Sequence, residues 1–234
     1  MPRQTRAEQT RAAIIRAAAE MFDRYGYGNT GLSDVVAHAG VTKGALYFHF
    51  RSKQDLAQAV VQEQHALWAA EAATVAGLET PALEALIRMS YRLARQLRVD
   101  PVVRGGIRLT LEHTFERPLP DPYLDWIAMT TQILQRAEAE ADIRTNMDLD
   151  RIARFLVSSF TGLHLVAQVI DFRQHLADQV GDLWRLVLPG LIPGRKLTYY
   201  LSFVVAAGRE VMPAVPGQGR QVTVTEPRTA TRPS

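Results

Sequence analysis

Thr42, Lys43, Gly44, Ala45, Tyr47 and His49 fall in one short window, VTKGALYFHFRSK, at positions that would form the outer surface of a brief helix. Lys43, in the first turn of that helix, is the side chain best able to donate to guanine O6 and N7. Gly44 and Ala45 are small enough for a helix to approach a groove closely. The Thr42 hydroxyl, Tyr47, Lys53 and the helix N-terminus suit phosphates, which position a protein without reading sequence. Arg6 in the basic N-terminal segment and Thr30 before the preceding helix complete the set expected to contact DNA. Plainer roles stay open: Gly44 and Ala45 for helix packing, Tyr47 for core, His49 for a satisfied surface histidine.

A second group of polar residues is stranded among apolar ones. Thr161, His164 and Gln168 follow one another at spacings of three and four on an apolar helix, so they form one polar line. Buried polar groups need partners, which either the fold or a ligand can provide. Trp126, beside Tyr123 and Ile127, offers a large flat apolar face with one donor, fit for a mostly apolar small-molecule pocket or for a plain core. Gln64, Leu67 and Trp68 lie on a long helix that could supply the pocket floor. The candidate ligand contacts are Gln64, Trp68, Trp126, Thr161 and His164.

Catalysis finds little support. The chain has no cysteine, which excludes disulfides, thiolate chemistry and thiolate-bound metals together. His38, His49, His65, His113, His164 and His175 include no pair at metal-ligand spacing, and no phosphate-binding glycine loop or nucleophile elbow occurs. No catalytic residue, metal or cofactor is expected.

The elements that must position these groups are all helical. Apolar residues recur at three and four positions, and no alternating run bounded by turn residues is present. At 234 residues and 47% hydrophobic, the chain can bury a full core. A capping box at Thr5 and Glu8 opens a helix running to about residue 24, with Gly26 tolerant of a left-handed exit. Helices over about 32–39 and 42–48, the first capped by Thr30 or a nearby residue and the second by Thr42, joined at Gly40, have the economy of a helix-turn-helix. Ser52 with Asp55 opens the long helix to about residue 76.

Thr80-Pro81 and Asp100-Pro101 place caps before prolines, so helices begin near 81 and 101. Gly105-Gly106 could be a hinge or a close packing site. A proline-rich loop at 117–122 precedes helices over about 123–141, 149–172, 175–188 and 195–211. The helix from 149 is apolar nearly all round, as expected of one pressed between its own core and a partner subunit.

The expected domains are 1–53, a helix-turn-helix module; 54–212, a helical ligand-binding and dimerisation body; and 213–234, a disordered tail rich in Pro, Gly, Thr and Arg. Charge follows this division. Residues 1–53 hold eight Lys or Arg against four Asp or Glu, a net +4, while the remainder carries −1. A basic module on a neutral body is the footprint of a protein that neutralises phosphates with one end, although a solvated helix face would also carry charge. The charged N-terminus lacks a signal-peptide core and the stretch from Phe155 to Ile170 is broken by polar residues, so a cytoplasmic location without membrane contact is expected.

The run from Arg11 to Leu56, with IIRAAAEMFDRYGYGNTGLSDVVAHAGVTKGALYFHFRSKQDL at its heart, resembles the DNA-binding domain of TetR-type repressors. Within that family, RQTRAEQTR, GVTKGALYFHF and the Pro-Leu-Pro-x-Pro before the helix bearing Trp126 resemble the gamma-butyrolactone autoregulator receptors. The resemblance implies a repressor that binds double-stranded operator DNA as a homodimer, through a four-helix bundle of late helices. It also implies release by a small inducer of gamma-butyrolactone or butenolide type, covered by Trp126. A drug-efflux regulator of the same family, or a homologue answering to a furan or antibiotic, is the alternative.

Overall fold

Side-chain caps with partners two or three residues away set several of the helix starts. The Ala45 amide donates to Thr42 Oγ1 at 3.1 Å, the Asp55 amide to Ser52 Oγ at 3.0 Å and the Asp150 amide to Asp148 Oδ1 at 2.9 Å. Gly40 ends the second helix with φ 64 and ψ 30, a left-handed conformation that costs glycine nothing. A computed structural model describes residues 2–76, 80–112, 122–144 and 146–211. The expected tail at 213–234 and most of the proline-rich loop at 117–122 lie outside the described residues.

Among those residues the chain forms ten helices and no strand. They are α1 (Pro2–Asn29), α2 (Leu32–Ala39), α3 (Lys43–His49), α4 (Lys53–Ala76), α5 (Ala82–Val99), α6 (Pro101–Glu112), α7 (Pro122–Ala139), α8 (Leu149–Asp171), α9 (Leu176–Leu191) and α10 (Gly194–Val211).

The first straight run of α1 ends, as expected, at a positive-φ Gly26 (φ 78, ψ 171), and a further turn beyond this kink reaches Asn29. The Tyr27 amide beyond the kink donates to Glu112 Oε2 of α6 at 2.7 Å. Two local expectations are corrected. Thr30 does not cap α2. Gly31 is the N-cap, its amide donates to Asp34 Oδ2, and the buried Thr30 hydroxyl instead donates to the Gly26 carbonyl at 2.8 Å. Nor does Thr80 cap α5: its hydroxyl is buried without a partner, and the Ala82 amide donates to Glu140 Oε2 beyond the end of α7.

Two cores follow. Ile14, Phe22, Val35, Leu46, Leu56 and Val60 are fully buried in the first, which α6 joins through Val102 and Leu109. The second is built around α5, most of whose residues are buried, with Trp184 and Leu188 of α9 and Tyr200 and Val204 of α10 packed against it. Helix α8, expected to be buried on several sides, buries Ile152, Ala153, Leu156, His164 and Ala167 but exposes Phe155, Val166, Val169 and Ile170. It is also the one described helix long and apolar enough to cross a membrane, yet its inner face is part of the body core.

The structure decides the role of Gly105-Gly106. A Cβ on Gly105 would lie 2.5 Å from the Ala19 carbonyl oxygen, and one on Gly106 would lie 2.6 Å from Gln64 Cβ. The glycines let α6 press against α1 and α4. The crossing is locked by Arg104 Nε on Asp23 Oδ2 at 2.6 Å and Arg108 Nη1 on the Asp23 carbonyl at 2.6 Å. Gly105→Ala meets backbone rather than a flexible side chain, so it should destabilise the protein by about 1–3 kcal/mol. A thermal melt should show a drop of roughly 2–4 °C per kcal/mol. Gly28→Ala, with no neighbour within 4 Å, is the control. An unchanged melt for Gly105→Ala would return the pair to the hinge role.

Candidate functional site

Helix α3 presents its solvent face because Leu46 and the following Phe50 tie the other side into the core. Thr42, Lys43 and Gly44 are exposed, Ala45 is half-buried and Tyr47 is 56% exposed, so the expected residues share one surface. His49 is half-buried with its ring 5.0 Å from Phe48 and 6.2 Å from Phe50, a supporting position behind that surface. Arg6 is exposed on α1. Lys53 is half turned inward: Nζ sits 4.3 Å from the centre of the Tyr27 ring and donates to the Gly28 carbonyl. Burial lowers its pKa, which the nearby Glu112 carboxylate opposes.

Thr30 leaves the set. It is 2% exposed and its hydroxyl is committed as a donor to the chain, so it faces no phosphate. Phe48 enters it. At 79% exposed it is among the least covered large apolar side chains of the protein, and its ring suits apolar contact with a thymine methyl group. The available signal was angular: Leu46 and Phe50 stand one turn apart, and a residue midway between them points to the opposite side.

The second site is a narrow, mostly apolar cavity, partly open to solvent, lined by residues of α4, α5, α6, α7, α8 and α9. Trp68, Trp126, Thr161 and His164 line it together, with Trp184 and Thr130 as unanticipated neighbours. Trp126 is 6% exposed and meets Trp68 edge-on at 5.9 Å between ring centres. Thr161 donates to the Val157 carbonyl at 2.9 Å, leaving only acceptor capacity for a ligand. Gln168 is absent from the lining, so the polar line expected on α8 divides between the cavity and the helix flank.

Gln64 is corrected. It is 1% exposed, packs against Gly106 and does not line the cavity; both atoms of its amide are buried without a hydrogen-bond partner. In the cavity wall, Trp68 Nε1, Trp126 Nε1 and His164 Nδ1 are buried and have no partner either. Two fixed donors and an imidazole in an apolar wall can hold a small molecule that carries oxygen acceptors.

Burial, with the charge of Arg173 adding to it, pushes the pKa of His164 from 6.5 down to about 4. The imidazole is therefore neutral near pH 7, with one ring nitrogen a donor and the other an acceptor. The unfolded chain takes up this proton below about pH 6.5 and the folded chain only near pH 4, so stability falls as pH drops through that window. The loss is on the order of 3 kcal/mol. Chemical denaturation at stepped pH should show this decline, and His164→Asn should flatten it. A parallel decline in the variant would place the titration elsewhere.

Several large apolar side chains of the body face solvent, among them Phe155, Val166, Val169 and Ile170 of α8 and Leu186 of α9, which is 81% exposed.

Residues 14–60 match the family model described as bacterial regulatory proteins, tetR family, and residues 80–193 match that of the tetracyclin repressor-like C-terminal domain. The A-factor receptor protein of Streptomyces griseus is 37% identical over 191 residues, covering 82% of this chain and 67% of that protein. A solved gamma-butyrolactone receptor, described as ArpA-like, superposes with a TM-score of 0.79 at 38% identity, over 88% of this chain and 99% of its own. CprB of Streptomyces coelicolor, solved with its biological operator sequence, gives a TM-score of 0.79 at 37% identity, over 87% and 98%.

Proposed function

Since the chain belongs to the tetR family of bacterial regulatory proteins, we propose that it is a transcriptional repressor released from its operator by a small diffusible autoregulator. The ligand is of gamma-butyrolactone or butenolide type, and the controlled genes serve secondary metabolism or antibiotic production. The observation that carries this is one helix touching both sites. Leu56 and Val60 of α4 sit in the core beneath the recognition helix, and Trp68 of the same helix forms the cavity wall. The likeness to the A-factor receptor extends over both regions of the chain, which favours the autoregulator class.

The repressor acts as a homodimer on a palindromic operator, and the apolar flank of α8 and α9 supplies the subunit contact. Each α3 enters a major groove, Lys43 reading base edges while Thr42, Tyr47 and Arg6 hold phosphates. Ligand entering beside Trp68 and Ile107 displaces α4 and α6, and α6 is bolted to α1 through Arg104 and Asp23. The two recognition helices then no longer match half-sites about one helical turn apart or a multiple of it. A drug-efflux regulator for lipophilic cations would favour acids in its pocket, and none of the described lining residues is acidic. The single titratable group there, neutral His164, has no paired carboxylate for acid-base catalysis.

The test is an electrophoretic shift on the protein's own upstream region, titrated with gamma-butyrolactones, butenolides and furans. Release by a lactone or butenolide is the expected result. A shift that only a cationic drug releases would overturn the ligand class, and no shift on any candidate operator would overturn the repressor reading.

A further inference from the structure

Three polar side chains on α6, Arg104, Arg108 and Glu112, recur at every fourth position, so they stand on one face a turn apart. All three hold the end of α1. Arg104 Nε donates to Asp23 Oδ2 at 2.6 Å and Arg108 Nη1 to the Asp23 carbonyl at 2.6 Å, both ahead of the kink at Gly26. Glu112 acts beyond the kink: its Oε2 accepts the Tyr27 amide at 2.7 Å while its Oε1 accepts Arg108 Nε at 2.8 Å. A Cβ on Gly26 would lie 2.6 Å from Glu112 Oε1, so the carboxylate fills the space a side chain would need there. Gly26 leaves helical geometry, and the direction of the chain after it is therefore not dictated by the helix before it. A bond from outside α1 can set that direction, and Glu112 supplies one as a charge-assisted acceptor.

The turn that Glu112 holds touches both ends of the helix-turn-helix. At the entry, Thr30 donates to the Gly26 carbonyl at 2.8 Å and Gly31 follows as the N-cap of α2. At the exit, Lys53, the first residue of α4, places Nζ 4.3 Å from the centre of the Tyr27 ring and donates to the Gly28 carbonyl at 3.3 Å. On the same α6, Ile107 lines the ligand cavity. Resting on the ligand-release reading above, we propose that Glu112 is the positioning residue of a second route from the cavity to the recognition helix. The route runs from Ile107 through Glu112 to the turn over residues 27–29 and enters α2 directly, beside the route along α4. Without this carboxylate α6 still moves with the ligand, but the turn beyond Gly26 no longer follows it.

The test uses the full chain, with a gamma-butyrolactone as the probe. Each variant is measured for lactone affinity, for operator affinity at fixed salt without lactone, and for the lactone concentration that releases half of the operator. All three tryptophans of the chain line the cavity, so intrinsic fluorescence gives the lactone affinity in the absence of DNA. The readout is the releasing concentration divided by the lactone dissociation constant. Glu112→Ala should raise that ratio about tenfold or more, an ordinary strength of coupling between two sites. Glu112→Gln keeps an oxygen that can accept the Tyr27 amide but only as a neutral group, so it should raise the ratio about threefold. A residue that merely stabilises the fold would lower the melting temperature and leave the ratio where it was.

An unchanged ratio in both variants would overturn the positioning role and leave the ligand class intact. Should Glu112→Ala bind operator too weakly to titrate, the ratio in Glu112→Gln decides. An original protein that no lactone or butenolide releases would overturn the ligand reading and the route with it.

Discussion

Lys43→Ala is expected to abolish operator binding at concentrations where the original protein is saturated, while leaving the fold unchanged. Lys43 is exposed at the first turn of α3, beside a glycine whose absent side chain opens the approach to a groove. A well-placed base contact discriminates by about 1–3 kcal/mol, and a symmetric dimer makes it twice. The combined loss is about 2–6 kcal/mol, roughly thirtyfold at the lower end and over ten-thousandfold at the upper. An exposed side chain away from core and caps changes stability by no more than about 0.5 kcal/mol, so the melting curve should superpose on that of the parent. The measurement is an operator titration at fixed salt, since phosphate contacts make affinities at different salt incomparable. Retained affinity in a normally folded variant would remove α3 from the groove.

Trp126→Ala is expected to keep operator binding and to raise the ligand concentration needed for release by a hundredfold or more. The residue belongs to the core of the body, and the core beneath the recognition helix does not include it. Removing it therefore spares the DNA end. Truncating a buried tryptophan also costs about 3–5 kcal/mol of stability, so a second variant separates recognition from packing. Trp126→Phe retains an aromatic face and deletes the unpartnered Nε1 donor. One neutral hydrogen bond contributes about 0.5–1.5 kcal/mol, so this milder change should raise the releasing concentration about threefold to tenfold. Release at the parental concentration by Trp126→Ala would move the ligand out of this cavity.

The two effects differ in kind. In the proposed mechanism Lys43 works from a surface that is already exposed, whereas Trp126 works through a displacement of α4 and α6. Arg104 and Arg108, which hold Asp23 of α1, sit on the same helix as Ile107 of the cavity wall, so in that mechanism the displacement has a path to the DNA-binding end.

Much of this was legible before any coordinates. The caps at Thr42, Ser52 and Asp148, the left-handed stop at Gly40 and the helical content depend on partners within a turn or so along the chain, so the order of residues determines them directly. The outward set on α3 was legible for the same reason, since helical spacing fixes which side chains share a face once Leu46 and Phe50 are known to be inside.

Only the tertiary structure could decide the rest, because burial and hydrogen-bond partnership there depend on what packs against a helix rather than on the helix itself. Glu140 caps α5 across 58 residues of chain, a pairing that leaves Thr80 idle although its type and position are those of a cap. Gln64 and His164 read alike as stranded polar residues, yet the close approach of α6 at Gly106 walls Gln64 away while His164 opens on the cavity. The apolar girdle of α8 announced burial on more than one side, but the chain alone covers only one side of it and leaves Phe155, Val166, Val169 and Ile170 exposed.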